Sequence, residues 1–400
     1  MPLTLRVGEV IGVASPGVYG VNYGIMMNVV DFREDFARLT LTSLRYPPGN
    51  IADERPMDAL TVRDFLVGWR LLGGDKPLLL VANLFSGTPE AAAAAVAGLL
   101  EAGVPLVGVA IGNEPDLYGP NRGAPEWTPA RYCEAFRAYR AAIDTVDASV
   151  RLAGPSVSGA PQAEAYLAEV LRLCGDVIDI LSWHIYPTDG SAPDAVALAS
   201  SSQVGETIRR YRAWARDPAR NPLGYTRELT LAITEFGLSW RTNNYRHLHD
   251  TVATLWLADA LGQMLANGLT LAHYFALQGI GGHGLIDQGG WRRPTYYLFE
   301  MLQDFHGEVL AVQSNLADLR AYAVKTPESL QLLLINISTE DVAVTLELPE
   351  SGAQQATLRL LSDDTYEIYD DSVAYITVPQ RLSEPTLVPA RALAHLTIPR

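Results

Sequence analysis

Val107-Gly108-Val109-Ala110-Ile111-Gly112-Asn113-Glu114-Pro115 is a short apolar run that stops on a glutamate and a proline. Apolar residues at consecutive positions suit a strand covered on both faces, as in a parallel sheet. The run Leu229-Thr230-Leu231-Ala232-Ile233-Thr234-Glu235-Phe236-Gly237 repeats the design. Outward from these two, strand-like runs appear at 18–23, 43–46, 78–83, 151–154, 178–186 and 270–277. Helical stretches separate them. Thr61 and Asp64 resemble a capping box, and Thr88-Pro89 and Thr128-Pro129 each place a cap residue before a proline at the first helical position. Gly103, Gly175, Gly268 and Gly307 suit positions just past helix ends. Eight strand-helix units over residues 14–305 predict an α/β protein, a closed (β/α)8 TIM barrel. An open doubly wound sheet is the alternative, but no G-x-G-x-x-G follows the first strand.

The pattern changes after residue 305. Short alternating strands at 321–325, 330–337, 342–348, 356–361, 374–378 and 392–398, punctuated by Pro, Asp, Ser and Gly, predict a C-terminal antiparallel β-sandwich over 306–400. Residues 1–13 are strand-like yet precede the barrel. They are expected to complete the sandwich.

Composition narrows the function. The 400 residues are 48% hydrophobic with a formal net charge of −15. The C-terminal 95 residues carry 6 basic and 13 acidic side chains, a net of −7. Neither nucleic acid nor a membrane surface is an expected partner, since both attract basic faces. Cys133 and Cys174 lack metal or redox spacing and read as buried free thiols. The first residues lack a basic segment followed by an apolar stretch, so the chain as written reads as cytoplasmic, or as secreted if a leader was removed. No sequence feature specifies an oligomeric state.

Glu114 and Glu235 fall at the C-terminal ends of the fourth and seventh predicted barrel strands, the rim where such barrels keep their active sites. A pair of carboxyls there suits cleavage of a glycosidic bond, with one as proton donor and one as nucleophile. Asn113 is a candidate for a sugar 2-hydroxyl. Tyr186 is a candidate donor to the nucleophile, His184 is a candidate to face the sugar with a buried structural histidine as the alternative, and Arg45 is a candidate partner that keeps Glu235 ionised, with a structural ion pair as the alternative. Trp240, Trp291, Tyr118 and Trp127 are candidate subsite walls, because sugar C–H faces pack on aromatic rings. Arg241, Arg292 and Arg293 are candidates to grip a uronic acid carboxylate. No cofactor and no metal are expected, since His247-x-His249 lacks matching ligands. The glycine-rich stretch 279–290 lacks the Lys-Ser/Thr of a phosphate loop and reads as a rim loop.

Asn113-Glu114-Pro115 and Thr234-Glu235-Phe236 resemble the clan A retaining glycoside hydrolases over the whole barrel region. The resemblance implies that Glu114 is the acid/base and Glu235 the nucleophile of a double displacement on an oligo- or polysaccharide or glycoside. Gly112-Asn113-Glu114-Pro115-Asp116, Ser182-Trp183-His184-Ile185-Tyr186-Pro187 and Gly284-Leu285-Ile286-Asp287 resemble the heparanase and β-glucuronidase family. Leu44-Arg45-Tyr46-Pro47-Pro48-Gly49-Asn50 departs from that family's Gly-Gly turn, and Thr234-Glu235-Phe236-Gly237 is closer to β-xylosidases. The expectation is a retaining β-glycoside hydrolase, a β-glucuronidase or heparanase-like enzyme, with a β-xylosidase, arabinofuranosidase, glucosidase or galactosidase of the same clan as the alternative. A non-catalytic carbohydrate-binding barrel is the alternative of another class.

Overall fold

The computed structural model describes residues 3–24, 27–241, 247–248, 250–279, 283–348, 352–365 and 374–400. Residues 280–282 of the rim loop and His249 lie outside them. Among the described residues, eight parallel strands close into a barrel in chain order: β2 (Gly20–Asn22), β3 (Leu44–Tyr46), β4 (Leu78–Ala82), β5 (Leu106–Ile111), β6 (Leu152–Val157), β7 (Ile180–Ile185), β8 (Thr230–Phe236) and β9 (Leu271–Tyr274). The predicted (β/α)8 barrel is thus the observed one.

Alternation along these strands divides two cores. Leu79, Val81, Ala110, Ala153, Ile180, Ala232 and Leu271 pack together inside the barrel. Their sequence neighbours, among them Leu80, Val109, Leu152, Leu181 and Ile233, join the layer beneath the helices. Both faces are buried, which is why the strands read as continuous apolar runs. Small alanines from several strands let the interior close around larger side chains.

Helix starts follow local chemistry. Thr88 and Thr128 accept hydrogen bonds from the amides of Ala91 and Arg131, ahead of Pro89 and Pro129. The expected cap at Thr61 is corrected: the helix Ala59–Leu71 starts earlier, and Asp58 caps it by accepting from the Thr61 amide. Gly103 and Gly268 follow helices with left-handed φ of 77° and 60°. Gly175 is instead right-handed, and Gly307 opens a strand. The reading of two free thiols is also overturned. Helices Pro129–Asp147 and Ala163–Cys174 lie side by side, and their facing cysteines, with Cα atoms 5.7 Å apart, form a disulfide.

The second domain is a nine-stranded sheet that folds over its own core. Its strands are β1 (Leu3–Ala14), β10 (Gly307–Ser314), β11 (Leu319–Lys325), β12 (Ser329–Asn336), β13 (Val342–Glu347), β14 (Gln355–Leu361), β15 (Ile376–Arg381), β16 (Thr386–Val388) and β17 (Ala392–Pro399). β10 and β16 were not read from the sequence. β1 lies between β10, which it pairs antiparallel, and β13, which it pairs parallel. Leu332, Leu334, Leu358, Leu396 and Ile398 fill the sandwich interior, while Leu333, Ile335 and Leu393 face the barrel's helices. Across that seam the buried Asp259 of helix Thr251–Ala266 accepts a hydrogen bond from Tyr322 of β11, and on the barrel side it accepts another from Ser201.

Candidate active site

The barrel mouth is organised around Arg45, which is fully buried on β3. Its guanidinium donates to Asn22 Oδ1 at 2.8 Å, Glu235 Oε1 at 2.6 Å and Asn113 Oδ1 at 2.7 Å. Asn22, at the end of β2, donates in turn to the carbonyls of Thr234 and His273. One cation therefore ties together the rims of β2, β3, β5 and β8. Asn22 was missed in the sequence, where a buried asparagine on a strand looks like any other strand-end residue.

Glu235 reaches the mouth through an irregularity. Ala232 points into the barrel and Ile233 outward. Strict alternation would turn Glu235 out as well. The pairing of β8 with β7 slips by one residue here: Ile233 is opposite Trp183, but Glu235 is opposite His184. The extra residue reverses the alternation, so Glu235 faces Arg45 while Phe236 packs outward on Tyr274. Tyr186 donates to the second oxygen, Glu235 Oε2, at 3.1 Å.

Glu114 is placed by the turn after β5. Its φ of 50° and ψ of 54° are left-handed, an unfavourable conformation for a residue with a side chain. Three anchors hold the turn. The Glu114 amide donates to Ser156 O at 3.1 Å. Asp116 accepts from the Ser158 amide at 3.0 Å and hydroxyl at 2.6 Å. Asp53, fully buried beyond β3, accepts from the Asn113 amide at 3.1 Å, the Leu84 amide at 3.1 Å and the Tyr118 hydroxyl at 2.5 Å. Asp53 thus staples three rim loops, a role that its sequence context does not signal.

His184 lies between the two acids. Its Nδ1 is 2.9 Å from Glu114 Oε1 and 3.8 Å from Glu235 Oε2. Oxygens of both carboxyls and a ring nitrogen of His184 lie within 4.8 Å of one another. The acids nevertheless differ in charge preference. Burial raises Glu114 above the usual carboxylate range, and the nearby charges of Glu235 and Asp116 raise it further against His184, which lowers it. Burial also works against ionised Glu235, but His184, the Arg45 charge, and hydrogen bonds from Arg45 and Tyr186 together bring it below that range. A proton therefore resides on Glu114 in preference to Glu235. Glu114, His184 and Glu235 are also spaced to hold a metal ion. The guanidinium already 2.6 Å from Glu235 disfavours a second cation there.

The other expected residues have partners of their own or lie on the rim. Arg292 forms an ion pair with Asp35 at 2.6 Å, and Arg293 is buried and donates to the Gly284 carbonyl. Arg241 lies over the Trp240 ring at 4.6 Å, with Asp189 at 3.9 Å. Trp240 and Trp291 are exposed rim residues. Tyr118 gives its hydroxyl to Asp53 and lines a small cavity beside Glu114, and Trp127 packs edge-on against it. His247 is buried, 3.4 Å from Asp194. His283, also missed, is buried beside Tyr186 and Phe275, and burial pushes it down to about 4.

No family model matches the chain. Among solved structures, an α-L-arabinofuranosidase from Thermotoga maritima superposes with a TM-score of 0.80 at 17% identity, covering 100% of both chains. A Paenibacillus polymyxa xyloglucanase gives a TM-score of 0.72 at 12% identity, again over 100% of both chains. In sequence, a β-xylosidase from Caldicellulosiruptor saccharolyticus is 23% identical over 245 residues, 55% of this chain. That match spans about half of the curated relative, 48% of its length. At these identities the likeness is one of fold: a parallel (β/α)8 barrel with a β-sandwich-like second domain.

Proposed function

We propose that this chain is a retaining glycoside hydrolase of clan A that acts on a neutral sugar, with an arabinofuranosyl or xylosyl residue as first choice. The observation that carries the reading is the carboxyl pair, close together and preferring opposite protonation. Inverting enzymes space their acids about 6.5–9.5 Å apart to seat a water between them, whereas retaining ones need about 5–5.5 Å. Protonated Glu114 gives its proton to the leaving oxygen as Glu235 attacks the anomeric carbon. A glycosyl ester forms on Glu235. Glu114, now ionised, takes a proton from water, and that water's oxygen displaces Glu235 from the anomeric carbon. Two inversions leave the configuration unchanged.

The surrounding groups suit these steps. Arg45 and Tyr186 hold Glu235 as a carboxylate poised for attack. Asn113 gives its carbonyl to Arg45, and its buried Nδ2 has no hydrogen-bond partner among the described residues. A buried amide donor of that kind suits a sugar hydroxyl. A uronic acid is the weaker reading, because Arg292, Arg293 and Arg241 each have other partners. The likeness to arabinofuranosidases and a β-xylosidase supports a neutral sugar too.

The test is a panel of aryl glycosides. We expect turnover of an α-L-arabinofuranoside or β-xyloside, abolished in Glu235→Ala. With a dinitrophenyl glycoside, which needs little acid help, Glu114→Ala should accumulate the glycosyl enzyme. Azide should then restore turnover by about 10²–10⁴-fold, the usual worth of general acid–base help. The azide product should keep the substrate's anomeric configuration. An inverted azide, or full activity in either variant, would mean that the roles are wrongly assigned.

A further inference from the structure

Beside Glu114 the rim opens into a small cavity of about 180 Å³, lined by Asn50, Glu54, Glu114, Leu117, Tyr118, Asn121 and Arg122. Glu235, Arg45 and Tyr186 are not among the residues lining it. A proton donor must face the leaving oxygen, so a cavity that contains the donor and not the nucleophile lies on the leaving-group side. Its chemistry is distinctive. Arg122 donates to Glu54 at 3.3 Å and to the Asn50 carbonyl at 3.4 Å. Its guanidinium is also fixed over the rings of Phe85, at 4.9 Å, and Tyr118, at 5.7 Å. The Arg122 side chain is 16% exposed and that of Glu54 57%, so the pair retains access to a ligand. A paired guanidinium and carboxylate set a donor fork beside an acceptor, and Asn50 and Asn121 add groups of both kinds. Vicinal sugar hydroxyls, each a donor and an acceptor, match that arrangement. An alkyl or lipid leaving group does not. Because Glu54 neutralises Arg122, the cavity also has no charge to offer a uronate.

We infer that this cavity is the subsite for the leaving group, that it binds a neutral sugar, and that Arg122 and Glu54 are its recognition residues. The inference rests on the glycosidase reading. The chain would then release sugars from other sugars rather than from apolar aglycones.

The experiment compares two substrates that share the sugar preferred in the aryl panel. One is its dinitrophenyl glycoside and the other a disaccharide that ends in a second neutral sugar. In Arg122→Gln and in Glu54→Gln, kcat/KM on the disaccharide should fall about 10- to 100-fold, mostly through KM, the usual worth of a hydrogen bond to a charged group. The dinitrophenyl glycoside should lose much less, because its leaving group offers no hydroxyls to the pair, and a melting curve unchanged from the parent's shows that the variants fold. The two losses should be less than additive in the double variant, since the residues act as a pair. An equal loss on both substrates, or an unchanged disaccharide rate, overturns the subsite. A parent chain that cleaves neither substrate instead overturns the glycosidase reading, and the subsite with it.

Discussion

At the residue scale, the two carboxyls are chemically identical and their neighbours make them different. Glu114 has an imidazole and other acids nearby, while Glu235 has a buried guanidinium and a phenol. The direction of each shift sets the pH profile. The proposed mechanism needs Glu235 ionised, so the acidic limb should lie below the ordinary carboxylate range. The same mechanism needs Glu114 protonated, so the alkaline limb should lie above that range. Arg45→Gln removes a positive charge that favours the ionised form. Glu235 should then titrate higher, and activity should be lost earlier as pH falls. We expect the acidic limb of kcat/KM to move up by roughly one to three pH units, the usual effect of an adjacent opposite charge. An unmoved limb would show that Arg45 is only a structural link between rims. The sequence exposed both glutamates because each ends an apolar strand. It did not expose Asn22 or Asp53, since nothing local distinguishes a buried polar residue that bonds to distant loops.

At the element scale, packing between helices decides what the cysteines do. Neither helix is unusual in sequence, and the two thiols are 41 residues apart. Only the adjacency of Pro129–Asp147 and Ala163–Cys174 on the barrel's outer layer brings them together. In the chain-entropy account a loop of this length stabilises the fold by about 4 kcal/mol. Denaturation in urea with and without reductant should show a loss of that order. Alkylation of the unfolded, unreduced protein should label no cysteine. Two labelled thiols would restore the reading of free cysteines. The slip in β8 belongs to this scale too. Strict alternation from Ala232 and Ile233 would turn Glu235 outward, and the one-residue slip against β7 turns it into the mouth.

At the scale of the whole molecule, the chain's beginning is built into its end. β1 is an interior strand of the second sheet, bonded to β10 on one side and β13 on the other. Removing residues 3–14 would leave two unpaired sheet edges and uncover Leu5 and Val7, which are buried in the sandwich core. We expect a chain starting at residue 15 to aggregate or to melt at least about 10 °C lower, since several kcal/mol of burial would be lost. Light scattering and thermal melting read this directly. A monomer with unchanged melting would mean that the sheet closes without β1. Tyr322 bonds to Asp259 across the seam between the two domains, so the loss should reach the barrel as well.

The sequence by itself determined the barrel, its eight strands and the two acids at one rim. Each depends on local pattern: apolar runs of strand length, capped helices between them, and a glutamate where a strand stops. The strand Gly307–Ser314 escaped it because its buried residues do not alternate, and Thr386–Val388 because three residues are too few to carry a pattern. The tertiary structure decided what depends on contacts between distant segments. The Arg45 hub, the Asp53 staple, the disulfide and the inward turn of Glu235 all depend on neighbours that only closure of the barrel supplies. Local pattern reports which face a residue prefers, whereas hydrogen bonding and charge depend on what stands opposite.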